Sequence, residues 1–516
     1  MLTRALYLST IWLLLSFIML LLRGTNPKTG SQFRSLLWLL TVLLAGDLCA
    51  SLLFGTAQDE LWLTVLVFLF GWWWIWHLRD WNGLAHSLWI TSLISVGIYS
   101  IYTFALMAFA PMHPLAFVVG MALTLIEYAA LALALSYAFE SLDSVCRIRW
   151  RRKFQPMQPI PGYMPKVSLH VPAYNEPSDV VEATLRSLAQ LNYPNFEVLL
   201  IDNNTPEEST WRPLEQICKD IGPNFRFLHL DQWPGYKSGA LNFGLTQTAP
   251  DAEIIGIIDA DYRVEPNFLR DMTPFFANAE VAFVQTPQDY RDYQGNPYLE
   301  ACHYGYKYFF AVSMPSRNER NAIIFAGTMG LIRRSVIQEI GGWDEWCITE
   351  DAEASLRVLK QGYQSVFVNQ AYGTGLMPFT FDGLKKQRFR WCFGGIQILK
   401  KHWESLLPWA RWVDPNNRLT MAQRYYYLIG GLQWFNEPLN LLFAFFLILG
   451  AVLHLSPRGE IVRPLTGPLI VMPVIFLVIG MWRFLWVMRQ ALHLRTKDAI
   501  RTMANYFSLG WAVTLG

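Results

Sequence analysis

Five stretches of the sequence gather side chains able to hold cations and phosphates or to move protons. They are Pro172-Ala173-Tyr174-Asn175-Glu176-Pro177, Asp202-Asn203-Asn204-Thr205, Asp259-Ala260-Asp261, Trp346-Cys347-Ile348-Thr349-Glu350-Asp351-Ala352-Glu353 and Lys385-Lys386-Gln387-Arg388-Phe389-Arg390-Trp391. Two carboxylates in Asp-x-Asp suit a hard divalent cation, because Mg²⁺ takes one or two carboxylates and completes its shell with substrate phosphates and water. Asp351, near a helix start, is placed to act as a general base. Arginine offers a planar fork to a phosphate and tryptophan a flat face to a sugar ring. Each stretch also has a plainer account. Asp, Asn and Pro favour turns; Thr349 suits a helix N-cap, with acids complementing the helix dipole behind it; and a basic amphipathic helix suits a membrane surface. No Ser/His/Asp or Cys/His constellation stands out, and the six cysteines show no zinc-type spacing, so they read as reduced thiols.

The elements that must position these residues follow from periodicity. Val167–Val171, Glu197–Ile201, Phe225–Leu230 and Glu253–Ile258 are short apolar runs of strand type, and Val180–Leu191 and Ser238–Thr246 read as helices between them. Strands alternating with helices predict a parallel α/β sheet, whose ligands bind beyond the carboxyl ends of the strands. Three of the five stretches fall at those ends. Glu350 opens a helix through about Gly362, and Lys385 leads one to about Trp403.

This α/β segment is enclosed by something different. Over the whole chain of 516 residues, 53% are hydrophobic and 16% charged, against about 25% charged in soluble proteins. Apolar runs at about 5–22, 35–55, 61–76, 85–109 and 114–139 precede the α/β segment, and two more, about 426–453 and 465–487, follow it; a bilayer needs roughly 20 such residues per helical span. The first run lacks a signal-peptide cleavage site and reads as a retained anchor. Trp72–Trp74 and Trp76 beside His77 and Arg79 have the make-up of an interfacial aromatic belt. Basic loops (Arg23, Lys28, Arg34; Arg147 to Lys153; Arg489 to Arg501) alternate with the acidic Asp59-Glu60 and the loop Ser456–Pro464. The positive-inside rule then puts the large middle segment in the cytoplasm. A net charge of +2 gives no reason to expect nucleic acid. The expected organisation is transmembrane helices over 1–140, a basic, Pro-rich linker over 141–165, a cytosolic catalytic domain over 166–382, interfacial helices over 383–424 and transmembrane helices over 425–516, with a further apolar run beginning at Tyr506.

Taken in order, Asp202, Asp259-Ala260-Asp261, Thr349-Glu350-Asp351 and Gln387-x-x-Arg390-Trp391 resemble the motifs of processive family-2 glycosyltransferases, the cellulose, hyaluronan and bacterial β-glucan synthases. The resemblance covers about residues 165–405, and the flanking spans more loosely. It implies a GT-A (Rossmann-like) fold inserted between membrane helices, a UDP-sugar donor, Mg²⁺ or Mn²⁺, and inversion at the anomeric carbon. It implies that Tyr174, Glu176 and Asp202 surround the uridine, that Lys237 sits near the diphosphate, and that Asp259 and Asp261 bind nucleotide and metal. Asp351, beside Glu350, would be the base; Gln387 and Arg390 would neutralise the leaving nucleotide; Trp391 would stack on the acceptor. Phe325, Gly327 and Thr328 match an acceptor-site segment.

Asp202-Asn203-Asn204-Thr205 and Gln285-Thr286-Pro287-Gln288-Asp289-Tyr290 depart from the cellulose synthase pattern and, with Arg317–Asn321, look more like synthases of β-1,3-type and cyclic β-glucans. The expectation is therefore polymerisation of glucose from UDP-glucose onto a growing β-glucan, β-1,3 favoured, in a bacterial inner membrane, with export through the protein's own helices and possible accessory export subunits. Alternatives are a β-1,4-glucan, another donor such as UDP-N-acetylglucosamine, a single-addition transferase acting on a lipid carrier, and a channel or scaffold. Arg147-x-x-x-Arg151 lacks the rest of a PilZ motif, so no PilZ domain is expected and those arginines read as membrane-surface charges. The family's gating loop is expected beyond Gly516.

Overall fold

A computed structural model describes residues 1–23, 31–55, 61–109, 113–152, 155–455 and 467–515. Lys28, Asp59, Glu60, Lys153 and the loop 456–464, used above for orientation, lie outside the described residues, as does the side chain of Arg23. The chain divides into two compact units, Met1–Trp150 with Phe435–Ile500, and Arg151–Trp434 with Arg501–Gly516.

The first unit is helical. Among the described residues, six helices are long and apolar enough to cross a membrane: Leu2–Leu22, Gln32–Phe54, Gly83–Phe109, Pro114–Val145, Met421–Leu455 and Gly467–Leu492. Such spans mark a multi-pass membrane protein. Leu61–His77 is equally apolar but only 17 residues long, the lower limit for a span. Trp72, Trp73 and Trp76 are exposed on it, with Arg79 lying 5.0 Å over the Trp76 ring. Arg147 corrects one expectation. It is buried, 2.5 Å from Asp143, which also accepts from the Trp81 indole at 2.7 Å. An unpaired guanidinium could not be buried there, so this arginine closes the end of a helix rather than facing lipid headgroups.

Among its described residues the second unit contains ten strands: β1 (Lys166–Ala173), β2 (Phe196–Asn203), β3 (Phe225–Leu230), β4 (Ala252–Ile257), β5 (Arg263–Val264), β6 (Val281–Gln285), β7 (Asp289–Tyr290), β8 (Gly330–Arg333), β9 (Gln364–Phe367) and β10 (Gly373–Gly375). Seven form one sheet in the order β3-β2-β1-β4-β8-β6-β9, and β5-β10-β7 form a second. The expected parallel arrangement holds for β3-β2-β1-β4, but β8 runs antiparallel to both β4 and β6. The sheet is therefore mixed. Its parallel half arises from strands linked by helices. The antiparallel insertion needs a four-residue strand whose partners are distant in sequence, which no local period announces. Both faces are covered: Val181, Leu185 and Leu188 pack on one side, Leu241, Val336 and Val358 on the other. Chain order reverses between β1 and β4, the switch point at which such sheets open a crevice.

The carboxy-terminal stretch departs from the expected single block. Residues 421–434 belong to the second unit, and so do residues 501–515. In the run after Tyr506, Leu509 is buried in a cluster with Tyr290, Tyr306, Leu384 and Trp391, and the Cys392 thiol donates to the Val513 carbonyl. Its helix Thr496–Ser508 is amphipathic and polar on average, so it lies along a surface instead of crossing a bilayer.

Candidate active site

The residues expected to do chemistry come together beyond the carboxyl ends of β1, β2 and β4. Asp259 follows β4 and places Oδ1 2.6 Å from the Lys237 ammonium, which also donates to the Gly327 carbonyl at 3.2 Å. Lys237 is in the first turn of the helix Tyr236–Gln247. Gly327 has φ of +77°, and a Cβ there would overlap the Asp351 carboxylate, so only glycine permits this approach. The Asp259 N–H donates to the Thr328 hydroxyl at 2.9 Å. Lys237, Asp259, Gly327, Glu350 and Asp351 thus form one electrostatic unit. Asp261 lies beside it, with Oδ2 accepting the Leu376 N–H at 2.8 Å and its carbonyl accepting from Arg291 at 2.7 Å.

Burial strains the ionisation of this group. It raises Asp351 and Asp261 above the ordinary carboxylate range, with the Lys237 charge opposing at Asp351 and the Leu376 N–H at Asp261. Glu350 rises through burial and then through the adjacent Asp351 charge. Glu176, at the end of β1, is pushed up to about 7 by burial, against its backbone hydrogen bonds and with help from Asp261 and Asp202. Burial lowers Lys237, but Asp259, Glu350 and Asp351 outweigh it and hold the ammonium above its usual range. Five carboxyl groups therefore share one cleft with two cations, Lys237 and Arg291. That surplus of negative charge fits a divalent cation. No cluster of three or more His, Cys, Asp or Glu side chains suits a metal among the described residues. Asp259 and Asp261 are the pair that could hold such an ion, a small carboxylate count at which Mg²⁺ or Mn²⁺ relies on substrate phosphates.

On one side of the cleft stands Thr205, whose hydroxyl accepts the Asn175 N–H at 2.8 Å and donates to Asp202 Oδ1 at 2.5 Å. Asp202 Oδ2 is 2.7 Å from His229 Nδ1. Tyr174 is exposed beside this loop. Asn203 and Asn204, the departures from the cellulose synthase pattern, tether the segment before Lys237. Asn203 donates to the Tyr236 carbonyl at 2.9 Å, and Asn204 exchanges two 2.7 Å bonds with the Trp233 backbone.

On the other side, the helix Phe381–Leu406 carries Gln387 and Trp391. The Tyr306 hydroxyl donates to Gln387 Oε1, and Trp391 meets the Tyr306 ring edge-on at 5.7 Å. Arg388 lies 5.0 Å over Trp391 and 5.6 Å over Tyr306. Arg390 is exposed, on the opposite side of Gln387 from Arg388. The helix is held close by Gly394, where a Cβ would overlap Thr349, and by Gln397, which bonds Ile348 N–H and Trp346 carbonyl at 3.1 and 2.9 Å. Thr349 makes no capping bond. Instead Glu353 ties the two helices, accepting from Arg357 at 2.7 and 2.9 Å and from His402 at 2.9 Å. Leaving such a buried charge without its partners costs about 3–5 kcal/mol.

One expected contact is not made. Phe325 is 1% exposed, packed between Phe283 and Trp343 at 5.7 and 5.8 Å, so it belongs to the core and not to the cleft. An aromatic ring in a loop between a sheet and a helix gains more from burial than from exposure. Four residues escaped the sequence reading. Tyr306, Trp211 and His229 carry no local signal. Gln285 sits in a stretch noted only as a branch marker; its amide accepts from Ala326 N–H at 2.8 Å and donates to the Thr328 carbonyl at 2.9 Å, fixing the loop that carries Gly327.

Residues 165–394 match the sequence profile described as "Glycosyltransferase like family 2". The match is to this segment alone, less than half of the chain. The fold is of GT-A type: the chain resembles "Mannosyltransferase PcManGT from Pyrobaculum calidifontis in complex with GDP-Man and Mn2+", with a TM-score of 0.51 and 17% identity over 76% of this chain and 99% of that one, a likeness of fold alone. Among curated proteins, "Probable glucomannan 4-beta-mannosyltransferase 7" of Oryza sativa is 28% identical over 267 residues, 49% of this chain and 46% of that protein. A UDP-forming cellulose synthase from Dictyostelium discoideum, in its catalytic chain, is 29% identical over 255 residues, 48% of this chain and 22% of that protein. The match thus spans less than half the length of either relative. By name, the first is a glucomannan mannosyltransferase and the second a cellulose synthase.

Proposed function

We propose that the protein is a membrane-embedded, inverting, processive hexosyltransferase that builds a β-linked glycan from a nucleoside diphosphate hexose. The observation that carries this reading is Asp351 held against Gly327 beside the Lys237–Asp259 pair. Asp351 accepts the proton of an acceptor hydroxyl. The freed oxygen attacks the anomeric carbon from the side opposite the diphosphate, the bond to the diphosphate oxygen breaks, and its electrons leave with the nucleotide. Burial raises the basicity of Asp351 toward that task. Lys237 supplies fixed positive charge where the leaving diphosphate becomes more negative. A divalent cation on Asp259 and Asp261 would add charge stabilisation at the diphosphate when bound. Trp391, edge-on to Tyr306, offers a ring face for the terminal sugar of the acceptor, and Gln387, hydrogen-bonded to Tyr306, lies on the same helix face. Arg390, exposed on this helix, is free to approach the leaving nucleotide.

For the sugar and linkage, two readings have support. The stretches at 202–205, 285–290 and 317–321 favour UDP-glucose and a β-1,3-glucan. The names of the relatives favour β-1,4-mannosyl or glucosyl transfer. Membranes holding the protein would be given labelled UDP-glucose or GDP-mannose with Mg²⁺, Mn²⁺ or EDTA, and the product digested with β-1,3-glucanase, β-1,4-glucanase and β-mannanase. Metal-dependent polymer from either donor supports the proposal, and the digesting enzyme names the linkage. No polymer and no donor hydrolysis under any condition would overturn it.

A further inference from the structure

The small sheet β5-β10-β7 carries a cation into the cleft. Arg291 follows β7, and its backbone N–H donates to the Gly375 carbonyl on β10 at 3.0 Å. β10 lies between β7 and β5, and Asp261 stands two residues before β5. The Arg291 guanidinium spans this frame, with 13% of its side chain exposed. Its Nη1 donates to the Asp261 carbonyl at 2.7 Å, 30 residues away in sequence, and to the Thr374 carbonyl at 2.5 Å. Asp292, 3.6 Å from Nε, is largely exposed. The Asp261 carboxylate is held separately, by the Leu376 N–H, so Arg291 acts on it as a nearby charge. Asp259, the other member of the pair, is met by the Lys237 ammonium at 2.6 Å. Each of the two carboxylates thus has a cation of the protein's own beside it.

We propose that Arg291 guards the cation site, disfavouring a bare divalent ion relative to one that arrives on a diphosphate. The inference rests on the nucleotide-sugar reading given above. An arginine keeps its charge at any physiological pH, and two carbonyls hold this one in place. A divalent ion arriving alone meets that charge at Asp261 and must also take Asp259 from Lys237. The lysine ammonium rides on a flexible stem and can turn to a phosphate. The guanidinium is pinned and stays. Its field then has opposite signs for the two halves of the ligand: it repels the dication and attracts the diphosphate, and for the two together these effects largely cancel. Arg291 acts through charge on the site and is a positioning residue for Asp261; it is not a ligand of the ion.

The test is equilibrium binding to the purified full chain, for the wild type, Arg291→Met and Arg291→Lys. The probes are Mn²⁺ alone, pyrophosphate in EDTA, and UDP or GDP with Mn²⁺. Methionine keeps the apolar stem and removes the charge; lysine keeps the charge and gives up the fork. Arg291→Met should bind Mn²⁺ alone about fivefold or more tightly than the wild type, and pyrophosphate about threefold or more weakly. Those are the sizes expected of one fixed charge beside a divalent ion or a diphosphate in a solvent-open cleft. Arg291→Lys should stay within about twofold of the wild type for both, and nucleotide with Mn²⁺ should change by less than about threefold in either variant. Opposite shifts for cation and anion are the mark of a charge, since a loosened fold would weaken both. Arg291→Met binding Mn²⁺ no more tightly than the wild type, or losing Mn²⁺ and pyrophosphate together, would overturn the guard and leave the transferase reading intact. A tightening for Mn²⁺ that Arg291→Lys shared in full would do the same. A wild type that bound neither UDP nor GDP, with or without Mn²⁺, would bring down the transferase reading itself, and the guard with it.

Discussion

Beyond β1, β2 and β4 the cleft is ionic: Glu176, Asp259, Asp261, Glu350 and Asp351 crowd around Lys237, and burial raises Glu176, Asp261, Glu350 and Asp351 while opposing the charge of the lysine. Along the helix Phe381–Leu406 the same unit presents rings, with Trp391, Tyr306 and the Arg388 guanidinium layered on one another. The first region suits groups that change charge, because fixed charges in a shielded cleft act strongly on phosphate and proton alike. The second suits a neutral partner that must slide, because ring faces hold a sugar without fixing it in one place. The polymerising transferase proposed above would need both, one region per substrate.

Breaking the ionic region should have the larger effect. Asp351→Asn is expected to lower sugar transfer by about 10³-fold, within the range of general-base catalysis, with donor binding held within about threefold. Incorporation of labelled sugar and equilibrium binding measure the two, and a variant that transferred normally would take the proton-accepting role from Asp351. Asp261→Ala, or EDTA, should lower transfer by about 10²-fold or more, as expected where charge stabilisation of a leaving group is removed, and should make nucleotide binding indifferent to Mn²⁺. Retained metal stimulation in the variant would place the cation elsewhere.

The ring region should respond more gently and in a different quantity. Tyr306→Phe deletes one hydrogen bond to Gln387, about 1 kcal/mol or roughly fivefold. The loss should appear in chain elongation and not in donor hydrolysis. If both fall together, Tyr306 supports the ionic cleft as well and the two regions are not separable.

The smallest effect is on stability. Glu176 is raised to about 7 by burial, so the folded protein holds its proton more tightly than the unfolded chain. Stability from this group is then present below the unfolded value near 4.3 and is lost as pH rises toward 7. Glu176→Gln should accordingly raise the melting temperature of the purified protein at pH 8 by about 2 °C or more and change it little at pH 5. An equal shift at both pH values would show that the charge is not the cause.

Much of the ionic region was legible in the sequence because its parts sit where elements end. An apolar run followed by Asp-Ala-Asp, or a Glu-Asp pair opening a helix, marks both the element and the side chain's location, and a parallel strand delivers its last residues to one edge by construction. The helix bearing Gln387 and Trp391 was legible too, but not its environment. Phe325 read as a cleft residue from its neighbours in sequence, and Arg147 as a surface charge; the first is enclosed by Phe283 and Trp343, the second by Asp143. Burial of a given ring or charge depends on what arrives from elsewhere in the chain.

The sequence by itself determined that apolar spans flank an α/β domain, that carboxylates gather at the strand ends, and that a basic aromatic helix follows them. These are consequences of composition and local period. Only the tertiary structure decided that β8 enters the sheet antiparallel, that Tyr306 meets Gln387 across 81 residues, that His229 on β3 faces Asp202 on β2, and that residues 501–515 return to the catalytic unit. The reason is physical. Strand and helix periods are set by near neighbours along the chain, whereas strand order, register and side-chain partners are set by which distant surfaces exclude water together.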